Sequence, residues 1–491
     1  MKKTLAVALA FAATTGSGPL TRAERTNYLE TSHYDDVMSF LDTLKTHIDP
    51  SVHAEFGTLG YTTEHRAIPY VILSRGAPRK RPLVYVQGNI HAGEVEGKEA
   101  LLMILRELGT TRGASVLDSL TLIAVPIYNA DGNEKFAPQA KNRTEQNGPE
   151  MVGQRPNGMG LDLNRDYIKA EAPETRASLE AFNRWDPDVF VDLHTTDGSF
   201  HGYALTYAPS LSPAASPYTR DSLLPELRRR MRQRDGFAIF DYGNFEGTPR
   251  AWKTYDNRPR FGTNYVGIRG RIAILSEAYS HDPFERRVKA THAFVHEILS
   301  LIAEKKPHAT DLKEDSVPIR SALTEAKQLP VVAESLIATG DSSLTQPGVP
   351  RGYRRAGHFD TVTMSVYDHF TPTLEAAMPK GYVVPAAETA AVRLLRLHGI
   401  TMTGPRKSCG PAQSFVLDSA TRDTVAFQGH HQGHDFGHWA TTAGMVEGPC
   451  YEITTRQRLG VLAVYLLEPE SDDGLVTWNV VEGAPIRRLA P

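Results

Sequence analysis

Between Tyr34 and Glu304 the apolar positions of the chain recur with two periods. Short apolar runs, at Tyr70–Leu73, Leu83–Gln87, Leu120–Val125, Val189–Leu193 and Arg271–Leu275, have the length and β-branched content of buried strands. Among them lie segments with helical spacing. These are Tyr34–His47, Glu96–Leu108 with Leu101, Leu105 and Leu108 on one side, Glu174–Trp185, and Phe284–Glu304 with Val288, Phe294, Ile298 and Leu301 in register. Buried strands alternating with helices predict an α/β fold with a mostly parallel sheet covered on both faces. Such sheets bind ligands beyond the carboxyl ends of their strands, so chemical residues are expected directly after strands.

The pattern breaks near Lys305. Residues 306–350 are rich in Ser, Thr, Pro and charge, with one apolar stretch at Pro330–Ile337, and read as a loose linker. Beyond them Val362–Val366, Tyr382–Val384 and Val461–Leu466 read as β-type runs and Ala387–His398 as a helix. Residues 351–491 are therefore expected to form a β-rich α+β accessory domain. A length of 491 residues fits two or three domains.

The first residues read as an export signal: Lys2 and Lys3, then the apolar run Leu5–Ala13, then small residues Thr14–Gly18. The expected division is a leader at 1–23, a first domain at 24–305, the linker at 306–350 and the accessory domain at 351–491. The leader implies a secreted or periplasmic protein, and no later stretch is apolar enough for a membrane span. The 54 basic and 57 acidic residues nearly cancel, which excludes a broad basic face for nucleic acid. Cys409 and Cys450 are able to pair in an oxidising compartment, but their spacing does not decide it.

The candidate chemistry sits where the sheet rule asks for it. His91-Ala-Gly-Glu94 follows the Leu83–Gln87 strand, and a His and a Glu three apart on a turn suit zinc. The strand Val189–Leu193 runs into His194, a third ligand, leaving one coordination position open. The next strand ends in Leu275-Ser-Glu277, which places a carboxylate as a candidate general base. Asp162-Leu-Asn164-Arg165 offers a guanidinium and an amide able to grip a carboxylate. Arg143 is a second cation, a candidate to polarise a carbonyl. His430, His431, His434 and His438 also cluster, but glycines at 429, 433 and 437 read as a flexible loop rather than a second metal site.

The order His91-x-x-Glu94, Arg143, Asn164-Arg165, His194, Glu277 resembles the zinc carboxypeptidase (carboxypeptidase A-like) family over residues 60–305. The resemblance implies a mixed sheet flanked by helices, one zinc per chain on His91, Glu94 and His194, and a promoted-water mechanism with Glu277 as general base. The His₂Glu set is the one given for carboxypeptidase A in general accounts of zinc sites. It further implies Arg143 as electrophile, Asn164 and Arg165 as clamp for a substrate's terminal carboxylate, and Asp162 as the acid that orients a ligand histidine. The implied substrate is a peptide with a free C-terminal carboxylate. An amidase or deacylase acting on cell-wall peptides or N-acyl amino acids is the alternative on the same residues. A catalytically silent binding protein would have lost a ligand or the base, and all are present. Two departures stand out. Gly93 occupies the place where digestive members carry an arginine, and either Tyr255 or Tyr265 matches the family's mobile tyrosine.

Overall fold

The apolar runs form the middle of one eight-stranded mixed sheet in the computed structural model, which describes residues 18–76, 81–112, 115–307, 312, 315–340, 349 and 351–489. The expected leader peptide core lies outside these residues. In chain order the strands are β1 His53–Tyr61, β2 Ala67–Ser74, β3 Leu83–Gly88, β4 Thr121–Val125, β5 Val189–Thr195, β6 Leu205–Pro209, β7 Ile239–Asp241 and β8 Ile272–Ala278. They are arranged β1-β2-β4-β3-β5-β8-β6-β7. The central β4, β3, β5 and β8 are parallel; β1, β2 and β6 join antiparallel.

Because side chains alternate along a strand, the sheet separates two cores. On one face Val84, Val86, Val191 and Ile274 share a core with Leu101, Leu105, Phe294 and Ile298 of the helices Glu96–Thr110 and Phe284–Lys305. On the other, Tyr85 and Phe190 pack edge to face with Phe182 of the helix Pro173–Trp185 and share a core with Tyr167 and Tyr265. That second face also carries Asp192, His194 and Glu277 toward the strand ends. The register pairs Glu277 with His194, and Gln87 with Asp192.

The C-terminal region departs from the sequence reading in two places. Residues expected as a loose linker instead form a long strand, β9 Ser316–Ala338, paired antiparallel with β10 Tyr353–Ala377. Its Pro and charged residues are tolerated because most of this hairpin faces solvent. β10 is joined in parallel by the segment Ala251–Lys253 of the first part of the chain. The run Val461–Leu466 is not a strand but the helix Gly460–Leu467, buried along its whole length. An apolar run without period suits a fully buried helix as well as a buried strand.

A closed four-stranded barrel follows, formed by β11 Gly381–Pro385, β12 Thr403–Arg422, β13 Gly433–Thr454 and β14 Arg487–Leu489. Cys409 and Cys450 are disulfide-bonded across β12 and β13, with Cα atoms 6.2 Å apart. Tyr382, Ile453 and Trp478 belong to the same apolar core as Tyr85 and Phe190, so the two parts of the chain are packed together. Among the described residues no helix is long and apolar enough to cross a membrane.

Candidate active site

β3 ends at Gly88, and the chain then turns through Asn89, whose φ of 67° is rare for a residue with a side chain. Asn89 Nδ2 donates to Ala92 O at 3.2 Å, and Glu94 N donates to His91 O at 3.0 Å, closing the turn that carries both ligands. Gly93 has a steric reason to be glycine. A Cβ there would stand 2.7 Å from Arg143 Cγ and 2.9 Å from Gly153 O, so the arginine of the digestive enzymes has no room in this chain.

His91, Glu94 and His194 are buried and converge, each offering a ligand atom within 4.8 Å of the others. Glu94 Oε1 lies 3.0 Å from His91 Nδ1, and its Oε2 lies 3.0 Å from His194 Nδ1. The two Nδ1 atoms are 3.3 Å apart. Two ligands at about 2.0–2.1 Å from a tetrahedral ion stand about 3.3–3.4 Å from each other, so this edge has the length zinc needs. The outer ring nitrogens face carboxylates: His91 Nε2 is 3.0 Å from Asp162 Oδ1 and His194 Nε2 is 3.1 Å from Asp192 Oδ2. The Asp162 hydrogen bond holds the His91 proton on Nε2 and aims its Nδ1 lone pair into the cluster, whereas His194 and Asp192 are within ion-pair distance without hydrogen-bond alignment. The residues fit zinc. Asp192 was not singled out in the sequence, yet two-residue alternation along β5 puts it on the face of His194.

Glu277 lies beside His194 on the neighbouring strand and is 8% exposed. Burial pushes its carboxyl well above the usual range, His194 opposes the rise, and Glu94 and Asp197 add to it. A buried carboxyl of raised pKa near the carboxyl end of a central strand is a suitable acceptor and carrier of one proton.

Asp162 caps the short turn Leu163–Arg165. Its Oδ1 reaches His91 and accepts the Asn164 N–H at 2.9 Å, while Oδ2 accepts Arg155 Nε at 2.9 Å. Burial would raise the Asp162 pKa, but His91, Arg155 and Arg165 together hold it far below the usual range. Asn164 is fixed through its Oδ1, which accepts the Gly262 N–H at 2.9 Å. Arg165 lies 4.0 Å over the Phe261 ring and donates to Asn164 O at 2.9 Å. Burial lowers its pKa because Asp162, 3.9 Å away, offsets only part of the lost hydration. The clamp residues are thus built on one turn with the acid that holds His91.

The structure places a second arginine, Arg155, beside the one singled out in the sequence, Arg143. Arg143 is 5% exposed, with Nη1 on Glu94 Oε1 at 3.0 Å and Nη2 on the carbonyls of Thr195 and Thr196 at 3.2 and 3.1 Å. Its Nε lies 3.0 Å from Glu145. A guanidinium so engaged braces Glu94. Arg155 is 34% exposed and anchored through Nε to Asp162, with Nη1 3.5 Å from Glu94. It is the arginine at the rim of the site. Its nearness to Asp162 in sequence was the available signal.

Tyr265 is fully buried with its hydroxyl 2.9 Å from His398 Nδ1, away from the ligands. Tyr255 packs edge-on against Tyr242 and Phe261, and the Glu277 carboxylate contributes to its raised pKa. Of the two tyrosines, Tyr255 is the one at the site. The C-terminal histidines do not converge: His430 pairs with Glu171, His434 with Asp423 and His438 with Asp418. His434 and His438 lie on β13 rather than in a loop.

The geometry is that of a buried His, Glu, His cluster able to hold a metal ion, with a buried carboxylate beside it on the neighbouring strand. Residues 37–236 match the zinc carboxypeptidase family model. The sequence is similar to carboxypeptidase 2 of Trichophyton rubrum, 22% identical over 470 residues covering 87% of this chain and 81% of that one. It is 30% identical to human carboxypeptidase D over 138 residues, 25% of this chain and 9% of that protein. A solved metallo-carboxypeptidase from Burkholderia cenocepacia is 19% identical and covers 56% of this chain and 70% of its own, with a TM-score of 0.43. Glu277 lies beyond the matched segment, and its role rests on its place beside His194.

Proposed function

We propose that this protein removes residues from the C-termini of peptides that end in a free carboxylate. The observation that carries the reading is that Asp162, Asn164 and Arg165 share one turn. One end of that turn holds His91 and the other presents a guanidinium only partly matched by Asp162. A terminal carboxylate on Asn164 and Arg165 would set the adjacent peptide bond toward His91, Glu94 and His194. Those three residues would hold one zinc, which when bound supplies Lewis acidity toward the scissile carbonyl and the attacking water. Glu277 takes a proton from that water and passes it to the departing amine nitrogen. Arg155, at the rim, donates to the carbonyl oxygen as negative charge develops there. Arg143 keeps Glu94 in place.

In this reading the catalytic unit spans residues 24–305, preceded by a leader at 1–23 that sends the protein to the periplasm or outside the cell. The Cys409–Cys450 disulfide supports an oxidising compartment. Zinc content of the purified protein, measured together with a mass-spectrometric digest of an unmodified peptide, tests the proposal. It expects one zinc per chain and a ladder shortened from the C-terminus. Internal cleavage, or release of an acyl group without peptide hydrolysis, would overturn it.

A further inference from the structure

Asp162 is also held from a distant part of the chain. Its backbone N–H donates to Gln428 Oε1 at 3.1 Å, across 266 residues of sequence. Gln428 sits at the tip of the loop between β12 and β13. Phe427 N donates to His430 O at 2.9 Å and His430 N to Phe427 O at 3.0 Å, so Gln428 and Gly429 form a two-residue turn. Both have positive φ, 49° and 82°. A turn with two positive φ values favours Asn, Asp or Gly at its first position, and a longer side chain there is disfavoured. Gln428 holds that conformation while its amide oxygen meets Asp162. The tip is fastened on both sides of this contact: His430 Nε2 lies 2.9 Å from Glu171 Oε1, and the Arg260 guanidinium lies 5.1 Å over the Phe427 ring.

We propose that the 427–430 turn is a built part of the catalytic site, with Gln428 acting as a positioning residue for Asp162. The proposal rests on the carboxypeptidase reading. Asp162 serves three groups at once: the His91 imidazole, the Asn164 N–H and the Arg155 guanidinium. Fixing its backbone therefore fixes the metal side and the carboxylate side of the site together. The C-terminal barrel thereby contributes to the chemistry of the first part of the chain.

The test compares Gln428→Asn, Gln428→Gly and Gln428→Glu in the full-length zinc protein. Asn and Gly suit the left-handed turn better than Gln, yet Asn is one methylene short of Asp162 and Gly has no acceptor. Glu keeps the length and the acceptor oxygen. For Asn and Gly the expected result is an unchanged or raised Tm, with zinc lost to a chelator about three- to tenfold more readily and KM for a free-acid peptide raised by a similar factor. Gln428→Glu should restore zinc retention and KM toward the wild type. A purely structural turn would show the opposite order, following Tm. Wild-type zinc retention and KM in Gln428→Asn, or losses shared by Gln428→Glu, would overturn the proposal. Wild-type protein that neither holds zinc nor cleaves peptide would instead sink the carboxypeptidase reading beneath it.

Discussion

The carboxylate of Asp162 and the imidazole of His91 meet at 3.0 Å, through Oδ1 and Nε2. The same carboxylate accepts the Asn164 N–H, so the metal ligand and the carboxylate clamp share one support. Asp162→Asn should therefore keep the fold but lower zinc affinity about 10- to 100-fold, the usual effect of losing an outer-shell partner. Chelator competition measures it. Zinc retention equal to wild type would contradict the role of Asp162.

Glu277 and Glu94 are both buried carboxylates, but they have different tasks. Glu277→Gln is expected to keep full zinc content while kcat falls about 10²- to 10⁴-fold, the range of general acid–base catalysis. Glu94→Ala should lose the metal as well. Metal analysis beside steady-state kinetics distinguishes the two, and a Glu277→Gln enzyme of normal kcat would remove Glu277 from the reaction.

Arg155 and Arg143 should separate activity from stability. Arg155→Ala leaves the core untouched, so its loss is expected in kcat with little change in Tm. Arg143→Ala takes a buried guanidinium from Glu94 Oε1 and from the carbonyls of Thr195 and Thr196, and breaking such a buried pair costs about 3–5 kcal/mol. Denaturant unfolding of the two variants measures the difference. Equal stability losses would contradict the assignment.

His398 ties the C-terminal region to the first part of the chain, with Nε2 3.0 Å from Ile168 O and Nδ1 2.9 Å from the Tyr265 hydroxyl. Burial lowers its pKa from 6.5 to about 4, and Arg269 adds to the shift. The folded state thus binds the proton less readily than the unfolded chain. The contribution is complete above pH 6.5 and is lost as pH falls toward 4, by roughly 3 kcal/mol at most. Thermal melts should show a shallower acid slope for His398→Gln than for wild type over this window. Parallel slopes would contradict the assignment.

The parts legible in the sequence were those with local period. His91, His194 and Glu277 follow apolar runs, and the sheet rule made their positions meaningful before any geometry. Arg155 and Arg143 lie in an irregular segment, where the nearness of Arg155 to Asp162 is the one local signal and no period tells which guanidinium points inward. Val461–Leu466 is apolar without alternation, so strand and buried helix look alike. The strand Ser316–Ala338 is solvated over much of its length and carries the composition of a linker. Gln428 was invisible because its partner is a backbone N–H far away in sequence.

The most direct measurement is kcat/KM for one peptide presented with a free and with an amidated C-terminus. If Asn164 and Arg165 receive a terminal carboxylate, the free acid should be cleaved about a hundredfold faster, the effect of losing one charge-assisted pair of about 2–3 kcal/mol. Arg165→Met should remove most of that preference. Equal rates on the two peptides would contradict the account.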